Sequence, residues 1–459
     1  MRFLLAASLV AIAAPATAQP QADGATRQAE RALFEKVVEI PTVYGRPAEF
    51  KKLTALLESE FREAGMTSVI KDHDNTQSII ARWKSERPGG KKPILLMAHM
   101  DVVDAKAADW KHPPFEFREE GGYYLGRGTN DNKAALVGII LALQNLKRAG
   151  FQPTRDIVVL FTGDEEVGGN GARRAATEWR SLIDAEYALN GDAGGGALFK
   201  DGRVEGYYMQ IAEKTYADYK LVATNRGGHS SSPRPDNAIY ALVNAIGAIR
   251  DHRFPPMIND ASRAAYKLLA AKDGGLYGEL VSKWLSDPTD RETSDLLEAM
   301  DPGYTRTRCV ATMLNAGHAP NALPQRAEAN VNCRIFPGVK IEAVRQQLQQ
   351  LAGPDVQVTT TTTSQESDPT PLRDDVTAAY KAALATRFKD APLIPMMSAG
   401  ATDGAWLRHA GIPVYGFGGL WGIVGEAEGA HGLDERVLVD GFHGQVPIWE
   451  EMLRRLAGL

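Results

Sequence analysis

The chain has 459 residues, too many for one ordinary core, so two domains are expected. Hydrophobic residues make up 44% and charged residues 24%, the balance of a globular protein and not of a disordered or fibrous one. A net charge of −5 is small for this length and gives no electrostatic reason to expect nucleic acid or a membrane surface as partner.

Arg2 opens the chain with a positive charge, residues 3–14 form an apolar run broken only by Ser8, and Ala16-Thr17-Ala18 supplies small residues. That order predicts a signal peptide over residues 1–18, cleaved near Ala18, and a mature protein in a periplasm or outside the cell. The run is too short for a membrane span, and no later segment reaches about 18 uninterrupted apolar residues. Residues 28–81 read as two helices and two short strands. Residues 93–98 then form a buried strand ending at His99. Residues 133–150 place Ala135, Leu136, Ile139, Leu143 and Leu146 at helical spacing, and a second buried strand over 156–162 ends at Gly163-Asp164-Glu165-Glu166. Strands alternating with helices imply an α/β fold with a mainly parallel sheet, whose ligands bind beyond the carboxyl ends of the strands. Residues 19–213 are read as the first part of a catalytic domain.

Near residue 214 the pattern changes. A strand over 216–224, a helix over 237–250, a long helical stretch over 261–300, strands over 306–314 and 326–336, a helix over 341–351 and a Thr-rich strand over 356–363 follow in order. This is a βαββαβ-like series with an insertion, read as an α+β lid or dimerisation domain over 214–363. The threonine run is expected to be β-branched strand and not a functional tract. Residues 364–459 return to the catalytic domain through a polar linker, a helix over 374–388, a strand at Val414, a loop carrying His431 and a closing helix over 442–456. Cys309 and Cys333 are the only cysteines, on strand-like segments flanking one loop; pairing and two separate buried thiols are both open.

His99, Asp101, Asp131, Glu165, Glu166, Asp192 and His431 stand at or near the ends of apolar runs. Imidazole and carboxylate donors without cysteine suit a hydrolytic zinc or related divalent site. Taken singly, His99 reads as a core histidine and Asp131 as a helix cap. Asp101, two residues after His99, could fix the imidazole tautomer. Adjacent carboxylates at Glu165-Glu166 repel unless a cation or proton is near, so one binds metal and the other takes a proton from water.

These motifs, Ala98-His99-Met100-Asp101, Gly126-Arg127-Gly128-Thr129-Asn130-Asp131-Asn132-Lys133, Gly163-Asp164-Glu165-Glu166, Gly227-Gly228-His229-Ser230 and His431-Gly432-Leu433-Asp434-Glu435, resemble those of the aminoacylase and carboxypeptidase family of zinc hydrolases, peptidase family M20. The resemblance implies two zinc ions, or cobalt or manganese in their place, bridged by Asp131. His99 and Asp192 would complete one site, Glu166 and His431 the other, with Glu165 as general base and Asp101 orienting His99. It further implies that His229 reaches the active site of a partner subunit, that Arg334 and Asn321 hold the substrate carboxylate or the intermediate, and that the Gly400 backbone assists. Asn132 and Ala134 depart from the Asp and Gly of many members. His73, His112, His252, His318, His409 and His443 read as ordinary core or surface histidines. The expected activity is hydrolysis of a peptide or N-acyl amide bond next to a terminal amino acid, as a carboxypeptidase or N-acyl-amino-acid amidohydrolase. A dipeptidase is the alternative, and a non-catalytic peptide-binding protein is the alternative of another class. A homodimer is expected, paired through the strand over 216–224 and the helix over 237–250.

Overall fold

The computed structural model describes residues 24–272, 275–300, 304–362 and 364–458. The expected signal peptide over 1–18 and Thr363 lie outside them. Among the described residues no helix is long and apolar enough to cross a membrane.

The larger sheet is built on strands buried on both sides. In Ile94–His99, Ile94, Leu96 and Ala98 join one apolar cluster while Leu95 and Met97 join another. Ile157–Thr162 divides in the same way, with Val159 and Phe161 on one side and Val158 and Leu160 on the other. Side chains alternate across a strand, so an unbroken apolar run requires cover on both faces. Helices Lys133–Arg148, Asp374–Ala385 and Val439–Ala457 pack together and contribute to the first cluster; Asn170–Ala176 and Gly404–His409 contribute to the second. Four central strands run parallel in the order Ile157–Thr162, Ile94–His99, Tyr187–Asn190, Val414–Phe417. The last of these comes from the returning C-terminal segment.

Val204–Glu213 belongs to this sheet, and Thr215–Thr224 to a separate four-stranded antiparallel one, with only Lys214 between them. The smaller sheet runs Arg308–Ala316, Arg326–Ile335, Thr215–Thr224, Val356–Thr360. Helices Ala238–Asp251 and Ile341–Ala352 cover one face with a core of their own, including Tyr219, Leu242 and Val344. The helical stretch expected over 261–300 is three helices: Asp260–Lys272, Leu276–Ser286 and Arg291–Met300. Pro288 stands in the second break, where the Asp290 carboxylate accepts the Thr293 backbone N–H and hydroxyl at 3.2 and 2.7 Å and so starts the third helix. The threonine strand stops at Thr360.

The edge strand differs from the one expected to mediate pairing. Thr215–Thr224 is hydrogen-bonded on both sides, to Arg326–Ile335 and to Val356–Thr360, so it has no free edge. The edges of this sheet are Val356–Thr360 and Arg308–Ala316, the latter pinned to its neighbour by a Cys309–Cys333 disulfide.

The disulfide closes a loop with a sequence separation of 24 residues, which chain-entropy arguments value at about 3 kcal/mol. Cys309→Ser/Cys333→Ser is expected to lower stability by about that amount, read as a lower denaturation midpoint, with a steeper slope because the unfolded chain is less compact.

Candidate metal centre and cleft

The sites expected at strand ends converge. His99 ends its strand, Glu165 and Glu166 follow Thr162 by a short turn, and Asp192 lies two residues past Asn190. Gly163 makes that turn possible: a Cβ there would stand 2.3 Å from the Gln77 carbonyl oxygen. Asp131 precedes the helix Lys133–Arg148, and His431 enters from the C-terminal loop in the left-handed region, φ 59°.

Asp131 stands between two groups of donors. Its Oδ1 is 2.9 Å from His99 Nε2, which is also 3.4 Å from Asp192 Oδ1. Its Oδ2 is 3.2 Å from His431 Nε2, which is 2.8 Å from Glu166 Oε2. Ligand atoms of Glu165 gather with those of His99 and Asp192. The donors therefore fall into two triads sharing one carboxylate. Glu166 Oε1 is buried without a hydrogen-bond partner. An orphaned carboxylate oxygen among oxygen and imidazole donors fits a pair of divalent cations.

The charges explain one another. Burial would lower the His99 pKa, yet Asp192, Asp101 and Asp131 push it well above the usual imidazole value. The carboxylates of Asp131 and Glu166 raise His431 to about 10. Burial together with Asp192 pushes Glu165 well above the ordinary carboxyl range, and burial lifts Asp192 to about 6. Glu165 and Asp192 thus resist ionising, while, despite its burial, the two imidazoles hold the Asp131 carboxyl below its usual range.

Two buried acids hold the frame. Asp101 contacts His99 Nδ1 through its backbone oxygen at 3.0 Å and its carboxylate at 3.4 Å. The same carboxylate accepts the backbone N–H groups of Glu165 and Glu166 at 3.2 and 3.0 Å. Glu435, fully buried, accepts from Arg127 Nη1 and from the backbone N–H of Gly128, Asn130 and Asp131 at 2.7–3.0 Å. Glu435 closes the His431-Gly432-Leu433-Asp434-Glu435 motif, and its distance from residue 131 along the chain hides this contact from the sequence. Gly128 is required in that turn, with φ +89° and Val102 Cγ1 2.7 Å from where a Cβ would lie.

A cleft of about 580 Å³ joins Glu165, Glu166 and His431 to Arg334 and Gly400. Arg334 stacks on the Tyr216 ring at 4.9 Å and has no ion-pair partner among the described residues. Thr361 and Thr362 also line the cleft, so the end of the threonine run faces the site. His229 and Asn321 do not join it. They lie together on an exposed two-stranded ribbon, where the Ser230 backbone N–H donates to the Asn321 carbonyl at 3.0 Å. None of the six histidines read as ordinary lines the cleft; His443 is buried against Glu30 and Tyr124.

The family profile described as peptidase family M20/M25/M40 matches residues 95–455, a range that holds all five residues of the two triads and the whole of the smaller sheet. The chain belongs to this family. It is an enzyme of the hydrolase class. Among its relatives, the N-fatty-acyl-amino acid synthase/hydrolase PM20D1.1 of Danio rerio is 28% identical over 446 residues, covering 92% of this chain and 84% of the relative. The probable carboxypeptidase S-like 2 of Dictyostelium discoideum is 26% identical over 390 residues, 82% and 74% of the two chains. The crystal structure of the M20 family metallo-carboxypeptidase Sso-CP2 from Sulfolobus solfataricus superposes with a TM-score of 0.70 at 18% identity, over 93% of this chain and 98% of that one.

Glu435→Ala leaves Arg127 and three backbone donors without their acceptor. Its expected cost is about 3–5 kcal/mol in stability, because a buried charge loses its partner. Denaturant titration reads that loss, and metal analysis should show fewer bound ions per chain, since Asp131 loses its support.

Proposed function

We propose that this hydrolase cleaves the amide bond between an acyl or peptidyl carbonyl and the nitrogen of a terminal amino acid with a free carboxylate. The observation that carries this reading is the cleft in which Glu165 and the paired donor triads share a wall with Arg334. Two zinc ions, or cobalt or manganese, held by His99, Asp131, Asp192, Glu166 and His431 would polarise the scissile carbonyl and acidify water. Glu165, which lines the cleft beside the paired triads, accepts a proton from the attacking water and delivers it to the leaving nitrogen. Asp101 sets the turn that aims Glu165. Arg334 offers a planar fork to the carboxylate, while the Gly400 backbone lines the same space.

Chelation is expected to abolish activity, with zinc restoring it. Glu165→Gln should lower kcat by several orders of magnitude at unchanged metal content. A variant that turns over normally removes Glu165 as the base.

His229 and Asn321, exposed on their ribbon, fit a role in the cleft of a second copy. The edge strand Arg308–Ala316 carries Val310, Met313 and Leu314 at 60–71% exposure, and the neighbouring helix exposes Tyr240 and Val243. An apolar free edge is suited to pairing with its own copy about a two-fold axis. Mixing inactive His229→Ala with inactive Glu165→Gln chains should restore up to about a quarter of the activity, since random exchange makes half the dimers hybrid and each hybrid has one intact site. No recovery after confirmed exchange rejects action in trans. The disulfide supports residence in an oxidising compartment, in line with an exported chain.

A further inference from the structure

The hairpin of Thr67–His73 and Thr76–Trp83 turns through Asp74 and Asn75, both left-handed at φ 42° and 65°, as a two-residue turn matched to strand twist requires. Its end lies against the turn that carries Glu165 and Glu166, where the Thr76 hydroxyl donates to the Gly163 carbonyl at 2.7 Å. Asp164 comes next in that turn, and it does not line the cleft.

Three donors that the catalytic centre does not use meet here. His73 Nδ1 stands 3.7 Å from Asp74 Oδ2 and 3.7 Å from Asp164 Oδ2, and ligand atoms of the three residues lie within 4.8 Å of one another. His73 is 7% exposed, and its Nδ1 is buried without a hydrogen-bond partner. A separation of 3.7 Å is too long for a hydrogen bond, so neither carboxylate satisfies that nitrogen. The other ring nitrogen is occupied, with Nε2 2.8 Å from Ser78 Oγ. An imidazole held at one nitrogen by a hydroxyl and open at the other toward two carboxylates has the arrangement of a metal ligand with its orienting partner.

The neighbours hold these donors in place. Both oxygens of Asp164 accept the Gly171 N–H, at 2.9 and 3.0 Å. Gly171 permits that approach, since a Cβ there would stand 2.8 Å from Asp164 Oδ1 and from Ser78 Oγ. Asp74 accepts from the Asn170 side-chain amide, and the Trp179 ring packs on the imidazole with centroids 5.6 Å apart. Arg174 stands nearby, its Nε 3.9 Å from Asp74 Oδ2 and its Nη1 3.1 Å from Glu178. Its charge is shared between those two acids, and among the described residues no lysine or arginine pairs with Asp164.

We propose that His73, Asp74 and Asp164 bind a further divalent cation of the zinc class, apart from the catalytic pair, which clamps the hairpin end to the back of the catalytic turn. One imidazole with two carboxylates suits zinc, cobalt or manganese, whereas calcium and magnesium take oxygen donors alone. Zinc bonds of about 2.0–2.2 Å at tetrahedral angles set two donors roughly 3.3–3.5 Å apart. A small rotation of either carboxylate brings the observed spacing to that value. Two carboxylates balance the charge of the ion. Asp74, exposed at the hairpin tip, leaves one side open for entry and for water as a fourth ligand. The site shares no ligand with the catalytic triads, yet Asp164 immediately precedes Glu165, so a filled site fixes the start of the turn that carries the general base.

The test loads metal-stripped full-length protein with zinc, removes loosely held ions by gel filtration, and counts zinc per chain by mass spectrometry. Wild type is expected to carry one zinc ion per chain more than Asp74→Asn, and His73→Gln to match Asp74→Asn. Asparagine tolerates the left-handed region, so Asp74→Asn keeps the hairpin and decides the matter if His73→Gln fails to fold. Asp72→Asn, which alters an exposed acid of the same strand, should keep the wild-type count and so separates a built site from zinc on surface carboxylates. An ion that binds only the folded state also raises Tm. The last equivalent of zinc should raise the wild-type Tm by a few degrees and leave that of Asp74→Asn unmoved. These variants leave His99, Asp131, Glu166, Asp192 and His431 intact, so the difference does not depend on what those residues hold. A wild-type chain with no more zinc than Asp74→Asn overturns the site, and so does a Tm gain that Asp74→Asn retains.

Discussion

The constraint on which the site depends is the crowding of like charge around Asp131. Its two oxygens face different imidazoles, and Asp192, Glu165 and Glu166 stand within the same small volume. Carboxylates this close repel unless cations or protons intervene, so the backbone must be held against that repulsion from behind. Glu435 does so for the Asp131 turn and Asp101 for the Glu165–Glu166 turn, each by accepting backbone N–H groups. Both act from the far side of the turn they brace, so the reactive side chains stay turned toward the cleft.

The parallel centre of the sheet explains why these segments meet. Strands running the same way end on the same side, and Ile94–His99, Ile157–Thr162 and Tyr187–Asn190 are hydrogen-bonded neighbours. Their following residues therefore share one rim, as expected of such sheets. Val414–Phe417 joins that array from the C-terminal segment, and the loop beyond it brings His431 and Glu435. The smaller sheet adds Arg334 to the cleft, so the cleft is walled by two separate cores, with Lys214 between their sheets. Its buried amine, lowered to about 8 by desolvation, donates to the Arg306 carbonyl beside the insertion.

Much of this was readable in residue order. The buried strands, the residues that end them and the βαββαβ series needed only periodicity and turn chemistry, because strand pattern and strand-end position are local properties. The sequence does not decide the pairing of Cys309 with Cys333, since two strand-like segments around a loop set no register; the register in the sheet places the two residues directly opposite.

By itself the sequence determined the donor types, the alternation that demands a sheet covered on both faces, and a set of motifs sufficient to place the chain in its family. Only the tertiary structure decided which donors share an oxygen of Asp131, that Glu435 braces a turn some 300 residues earlier, and that Arg334 reaches the cleft while His229 and Asn321 stay on an exposed ribbon. It also exchanged one edge strand for another, because strand order in a sheet is set by long-range pairing and not by the composition of any single strand. The physical reason is common to all of these. Local sequence restricts dihedral angles and the direction a side chain points, whereas distances between segments are fixed by how cores pack and strands pair, interactions that no single segment contains.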